Sequence, residues 1–479
     1  MIPIPAFDEV YVVSDLHMGG AAGHQIFGQQ DLLAKFIDHL RTDGQGECAL
    51  VINGDMVDFL AQPGAVYFDP AGAIDQLKNI AQNFSKVWSA LQAYVRTPQR
   101  HLTIVLGNHD LELALPWVRD YLLGDLSGGD GNARARIRLC FDGAGFACTA
   151  GSRQVLCVHG NEVDDWNLTD YEALRRIGVD LIQGRPVAAW TPNAGSKLVI
   201  DVMNGIKSKH AFIDLLKPEN QGALRVVLAM HPELKLKAVD VVGILQRRFL
   251  STPLRRAFGL LEDDGTPAPA PQADAERVLA QIMASGSGRP DETVLLDQVE
   301  QDFRQKRDPV DLVYQRGSAS GQLGIGSALM AVFTGAEPYR VAWEAVKELV
   351  NDQTFVIRQT DSDFEMIDAL AGANFDVVVA GHTHLARILQ RRKVGRGWYF
   401  NTGTWAWLMR LNAAQLASAE TFKPVFDRLS AAQTIEDLGD DLKFARPTVA
   451  IVKKGEDPVL KKVVLGNGGV DFTDPKDNQ

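Results

Sequence analysis

The sequence predicts an α/β layered domain interrupted by a large, mostly helical insertion. Strand-like apolar runs alternate with helical patterns up to about residue 165, helical spacing dominates from about 166 to 372, and strand-like runs return from about 373 to 466. The outer stretches, 1–165 and 373–466, read as one discontinuous domain and 166–372 as an insertion or cap. A Gly-, Asp-, Asn- and Lys-rich end, 467–479, reads as a flexible tail.

Taken in order, five strand-like runs stand out: 11–13 (YVV), 49–52 (ALVI), 102–106 (LTIVL), 154–158 (QVLCV) and 376–380 (DVVVA). Helical spacing covers 31–42 and 74–95 between the first three. It resumes in 168–183, 197–216, 222–249 and 275–284, with an acidic Ala/Pro loop at 261–274 and a Gly/Ser-rich stretch at 316–326. After a further helical interlude near 411–438, two late strands, 447–454 and 459–465, are expected to complete the sheet begun at the N-terminus.

Composition bounds the function. With 479 residues, 46% of them hydrophobic, the chain can bury a large core. A net charge of −11 argues against a nucleic-acid backbone as the main partner, since phosphate binding needs clustered Lys and Arg. No stretch approaches the ~20 apolar residues that span a bilayer. The N-terminus runs into the first strand without a basic, then apolar, leader, so the expected location is cytoplasmic. Cys48, Cys140, Cys148 and Cys157 lack ligand spacing and read as small core hydrophobes.

The chemistry lies where the five strand-like runs end. They finish in Ser14-Asp15-Leu16-His17, Gly54-Asp55, Gly107-Asn108-His109-Asp110, His159-Gly160 and Gly381-His382-Thr383-His384, which hold five of the chain's ten histidines. An open α/β sheet places its binding crevice beyond such strand ends. Asp15 with His17, and His382 with His384, are one residue apart, so in extended chain each pair faces one side. Mixed oxygen and nitrogen donors suit Mn, Fe or Zn, with Mn the first expectation. Seven donors, Asp15, His17, Asp55, Asn108, His159, His382 and His384, exceed what one tetrahedral ion needs; two divalent ions sharing Asp55 fit the count.

The ordered set DxH, GD, GNHD, HG and GHTH resembles the calcineurin-like metallophosphoesterases over 1–165 and 373 to about 465. That resemblance implies a four-layer αββα sandwich with metals at the strand ends. It implies Asp15, His17, Asp55 and His384 on one ion, and Asp55, Asn108, His159 and His382 on the other. His109 is implied to be the general acid or transition-state donor, with Asp110 orienting its ring and water activated by the cations as nucleophile. The SDLHMGG and GDMVD forms are similar to cytoplasmic branches that include UDP-2,3-diacylglucosamine pyrophosphatases. Phe59-Leu60 and Asp110 depart from the protein Ser/Thr phosphatase pattern, and Asp58 from the Tyr ligand of purple acid phosphatases.

The expected activity is hydrolysis of a phosphate ester or anhydride carried by a phosphorylated small molecule or a lipid-linked substrate. The alternatives are a nucleotide or cyclic-nucleotide phosphodiesterase and, from another class, a vestigial metal-bound scaffold whose insertion binds a partner. Asp58 is read either as a carboxylate tuning a ligand or as an ordinary first-turn residue. His24, Asn161 and Asp165 are weaker candidates for substrate contact. Arg247, Arg248, Arg255 and Arg256, with Arg225 and Lys235, read as a solvated face or as a guide for anionic substrate or a peripheral membrane contact.

Overall fold

The structure, a computed structural model, describes residues 4–164, 167–187, 189–207, 210–215, 337–349, 355–393 and 395–476. The expected helices at 222–249 and 275–284, the loops at 261–274 and 316–326, the Arg cluster and Asp165 lie outside the described residues.

Among the described residues the strands are β1 (Ala6–Phe7), β2 (Glu9–Val13), β3 (Cys48–Asn53), β4 (Arg100–Val105), β5 (Ile137–Cys140), β6 (Phe146–Ala150), β7 (Arg153–Cys157), β8 (Val377–Ala380), β9 (Ala386–Gln390), β10 (Trp398–Thr402), β11 (Leu408–Met409), β12 (Lys443–Phe444), β13 (Thr448–Lys453), β14 (Val459–Gly466) and β15 (Gly469–Thr473). One sheet has the order β1-β6-β7-β8-β10-β9, a second β15-β14-β13-β2-β3-β4-β5, and β11 pairs with β12. Neighbours β2, β3, β4 and β5 run parallel, as do β7, β8 and β10. Parallel pairing puts the ends of the motif-bearing strands of each sheet along one edge.

These strands read as continuous apolar runs because both faces are covered. Alternate residues face different cores. Val10, Val12, Ala49 and Val51 of the larger sheet meet Val155, Cys157, Val377 and Val379 of the smaller one. On the outer side Tyr11, Val13, Leu50 and Ile52 pack against the helices α1 (Gln30–Asp43), α2 (Ala73–Asn83), α3 (Ser85–Arg96) and α4 (Pro116–Ser127). The far face of the smaller sheet, with Leu156, Val378 and Tyr399, packs on Phe364, Ile367 and Ala371 of the helix Ser362–Ala371. Helix, sheet, sheet and helix make the four expected layers.

The apolar stripe of α1, with Leu32, Leu33, Phe36, Ile37 and Leu40 buried, follows the helical period. The pattern at 74–95 becomes two helices, because Phe84 leaves the helical region at φ −110 and ψ 38 between α2 and α3. The late strands do complete the sheet, since β13 pairs antiparallel with β2.

The tail is a correction. Residues 469–473 form β15, paired with β14 from Lys462↔Thr473 to Gly466↔Gly469. The intervening Asn467-Gly468 has the composition of a two-residue hairpin turn. Alternation of Val470 and Phe472 supplies an inner face: Val470 is buried and the Phe472 ring lies 6.1 Å from that of Phe36.

By its internal contacts the chain divides into Met1–Pro218, Val350–Leu411 and Ala431–Gln479 as one unit and Glu219–Leu349 with Asn412–Ser430 as the other. Residues up to 218 therefore group with the sandwich, where Asn204 Nδ2 donates to Leu60 O at 2.9 Å. In the second unit the helix Pro338–Leu349 carries Arg340, paired with Glu420 at 2.6 Å, and Trp343, whose indole N–H donates to Leu416 O.

Candidate metal centre

Beyond β2 and β3 the two loops continue side by side: Asp15 N–H donates to Gly54 O at 3.1 Å and His17 N–H to Asp55 O at 2.9 Å. To turn their side chains inward, Asp15, His17, Asp55, His382 and His384 adopt φ between 49° and 69°. Among the described residues Gln99 is the one other non-glycine residue with positive φ. L-residues rarely occupy this region, and strain concentrated this way is a mark of functional loops. The glycines in the motifs make room for ligands of other motifs. A Cβ on Gly54 would lie 2.0 Å from His159 Nδ1, and one on Gly107 2.1 Å from Asp55 Oδ1.

The strand ends bring donor atoms into three groups among the described residues: Asp15, His17 and His384; Asp15, Asp55 and His159; and His17, Asp58 and His109. Asp55 sits centrally. Its Oδ1 accepts the His109 backbone N–H at 2.9 Å, while Oδ2 lies 3.5 Å from His17 Nε2 and 3.2 Å from His159 Nε2. Asp15 Oδ1 is 3.3 Å from His384 Nε2, and both Asp15 oxygens accept the His382 N–H at 3.0 Å. His17 Nε2 and His384 Nε2 face one another at 3.0 Å.

Asp15, Asp55 and His159 are buried. Burial alone would push the Asp55 carboxyl up, but His159 and His109 outweigh it and hold it well below the usual carboxylate range. Burial likewise opposes charge on His159, yet Asp55 and Asp15 push it up to about 10. The carboxylates thus call for positive charge in a dry site. The buried Asn108 Oδ1 and His159 Nε2 have no hydrogen-bond partner of acceptable geometry, and His159 Nδ1 is engaged by Asn53 O at 2.9 Å. Clustered carboxylates, imidazole nitrogens and an unsatisfied amide oxygen are the donor set that divalent cations take. The residues fit the group.

Of the seven expected ligands, five fall in these groups. Asn108 and His382 flank them: the His382 ring lies 5.3 Å from that of His159, and its Nε2 is 2.8 Å from Asp164 Oδ2. Asn108 Nδ2 reaches Asn167 Oδ1 at 3.5 Å.

The expected role of Asp110 is corrected. Its Oδ1 accepts Gly107 N–H at 2.7 Å and its Oδ2 accepts Met56 N–H at 2.9 Å, so it ties the second and third motif loops together. Burial, with the charge of Asp55, pushes it up to about 7. The carboxylate facing His109 is Asp58: Oδ1 lies 3.2 Å from His109 Nδ1, and Oδ2 lies 3.1 Å from His17 Nδ1. Against burial, His109 and then His17 hold Asp58 well below the usual range. Sequence spacing favours Asp110 because it adjoins His109, but adjacent side chains on a tight turn diverge.

His24 enters none of these groups. Asn161 is buried and spends its Nδ2 on Asn167 O and Thr169 Oγ1, which is turn chemistry. Asp164 and Asn167 are the site residues that sequence reading passes over.

The calcineurin-like phosphoesterase family model matches residues 9–209 of this chain. No curated protein matches it. The calcineurin-like match takes in Asp15, His17, Asp55, Asn108, His109 and His159; His382 and His384 lie beyond it and are brought back by the fold. Together with the Asp/His groups it supports the calcineurin-like superfamily and a metal-dependent phosphoesterase in general terms. Among the described residues no helix is long and apolar enough to cross a membrane.

Proposed function

We propose that this protein hydrolyses a phosphate ester or anhydride at a centre of two divalent cations, with Asp15, His17, Asp55 and His384 holding one and Asp55, Asn108, His159 and His382 the other. The observation that carries the reading is Asp55 Oδ2, placed between His17 Nε2 and His159 Nε2 at 3.5 and 3.2 Å. Bound there, such a pair supplies an activated water and neutralises charge on the phosphoryl oxygens. The rest of the chemistry falls to the chain. Asp58 holds the His109 ring through Nδ1, so Nε2 is the atom that donates to the leaving oxygen. The same carboxylate orients His17, so ligand and acid share one brace.

Mn2+ is the first ion to try on the strength of the mixed donors. The test is metal analysis of the purified protein followed by a panel of aryl phosphates, phosphodiesters, nucleotides, sugar nucleotides and phospholipids. The panel includes sugar nucleotides because of the SDLHMGG and GDMVD segments. Mn2+-stimulated cleavage that Asp55→Ala abolishes is the expected result. A metal-loaded protein that leaves the whole panel untouched would instead be a scaffold.

A further inference from the structure

Asp164 and Asn167 belong to none of the five motifs, yet they touch the two expected ligands that lie outside the donor groups. Asp164 Oδ2 is 2.8 Å from His382 Nε2 and accepts Asn167 Nδ2 at 2.7 Å. Asn167 Oδ1 in turn faces Asn108 Nδ2 at 3.5 Å. A line of side chains therefore runs His382, Asp164, Asn167, Asn108, from the end of β8 to the end of β4.

The described residues that carry this line are themselves held. Gly160 N–H donates to Glu162 Oε2 at 2.8 Å, Asn167 N–H to Asp164 O at 3.0 Å, and Asn161 ties Asn167 and Thr169. Val163 packs against the cluster of Phe364 and Ile367. Gly160, at φ 122°, lets the turn approach His382 so closely that a Cβ there would stand 3.1 Å from the His382 Cβ. On the other side Gly195, the second residue of the helix Ala194–Leu198, stands against Asn167, where a Cβ would lie 1.9 Å from Oδ1.

We propose that Asp164 and Asn167 are positioning residues that brace one half of the centre. Asp164 fixes the His382 ring so that Nε2–H is spent on a carboxylate and Nδ1 is presented as ligand; Asn167 relays the same constraint to the Asn108 amide and so presents its oxygen. A histidine ligand whose second nitrogen donates to a carboxylate is held in tautomer and orientation and made more basic. The proposal rests on the two-cation reading above. It also ties the first residues after the matched motifs, up to the helix at Ala194, to the geometry of one metal position.

The test is Mn2+ titration of the full-length protein by calorimetry and electron paramagnetic resonance, with melting of the metal-free protein as a control. Asp164→Ala is expected to weaken the second Mn2+ by ~10–100-fold, leaving the first Mn2+ unchanged and turning the spin-coupled pair signal into that of an isolated ion. Asp164→Asn keeps an oxygen where both hydrogen bonds are accepted and is expected to stay within a few-fold of wild type. Asn167→Ala, a milder change, is expected to weaken the second ion less than Asp164→Ala. Two ions bound by Asp164→Ala with wild-type affinity would overturn the brace and leave the function standing. An Asn variant as weak as the Ala variant would overturn its geometric basis, and fewer than two ions in the wild type would overturn both readings.

Discussion

The two flanks of the centre are held in different ways. At the ends of β2, β3 and β4 the braces come from the motif-bearing loops: Asp58, just past Gly54-Asp55, serves His17 and His109, and Asp110 ties Gly107 to Met56. At the ends of β7 and β8 the histidines lean on partners from elsewhere, His159 on Asn53 O and His382 on Asp164. A supporting residue can be singled out in a sequence when it lies within a few residues of a motif, as Asp58 and Asp110 do. It disappears into turn chemistry when the fold supplies it from another segment.

The strongest way to break this contrast acts where the flanks touch. Gly54 is at φ 89° and stands against the His159 ring. Gly54→Ala is expected to displace His159 and abolish binding of the second ion, measured as metal stoichiometry of the folded protein. Wild-type stoichiometry would show the flanks to be independent.

A smaller effect sharpens the first flank. His109→Ala is expected to lower kcat by ~10²–10³-fold with two ions still bound, as for loss of a general acid. Asp58→Ala is expected to do the same and also to weaken the ion held by His17, since one carboxylate serves both rings. An Asp58→Ala enzyme with normal metal affinity would sever that link.

The smallest expected effect concerns Glu112, just past the third motif. Its Oε1 accepts Asp69 N–H at 3.1 Å, and burial pushes its carboxyl from 4.5 up to about 8. A raised carboxyl stabilises the fold below its unfolded value and loses that contribution as pH climbs through the folded one. Glu112→Gln keeps the acceptor without the titration. Its melting temperature is therefore expected to gain on wild type between about pH 4.5 and pH 8, and parallel curves would place Glu112 in water.

Much of the architecture was legible because both sheets are covered on both sides, so their strands appear as unbroken apolar runs ending in polar clusters. The strand β15 was missed for a compositional reason: Gly, Asp and Asn are frequent from Gly466 to Asp471, and only the alternation of Val470 and Phe472 after Asn467-Gly468 signals a strand. The expected ligands stand out through order and spacing, and five of the seven fall in the donor groups. Which carboxylate faces His109 was not legible, because the loop after Asp55, where the backbone is left-handed, carries Asp58 to the ring while Asp110 turns away. Asp164 directly follows the short 3-10 turn Asn161–Val163, with no periodic pattern to single it out.

One pairing bears on how the chain is made. β2 ends in the first motif and lies mid-sheet between β3 and β13, yet β13 begins at Thr448. A ribosome delivers β2 long before its second neighbour, with β3 to β12 made in between. Until then a row of backbone donors and acceptors beside Asp15 is open to any passing strand. Truncated products that stop before residue 448 are therefore expected to aggregate more readily than chains in which β13 has covered that edge.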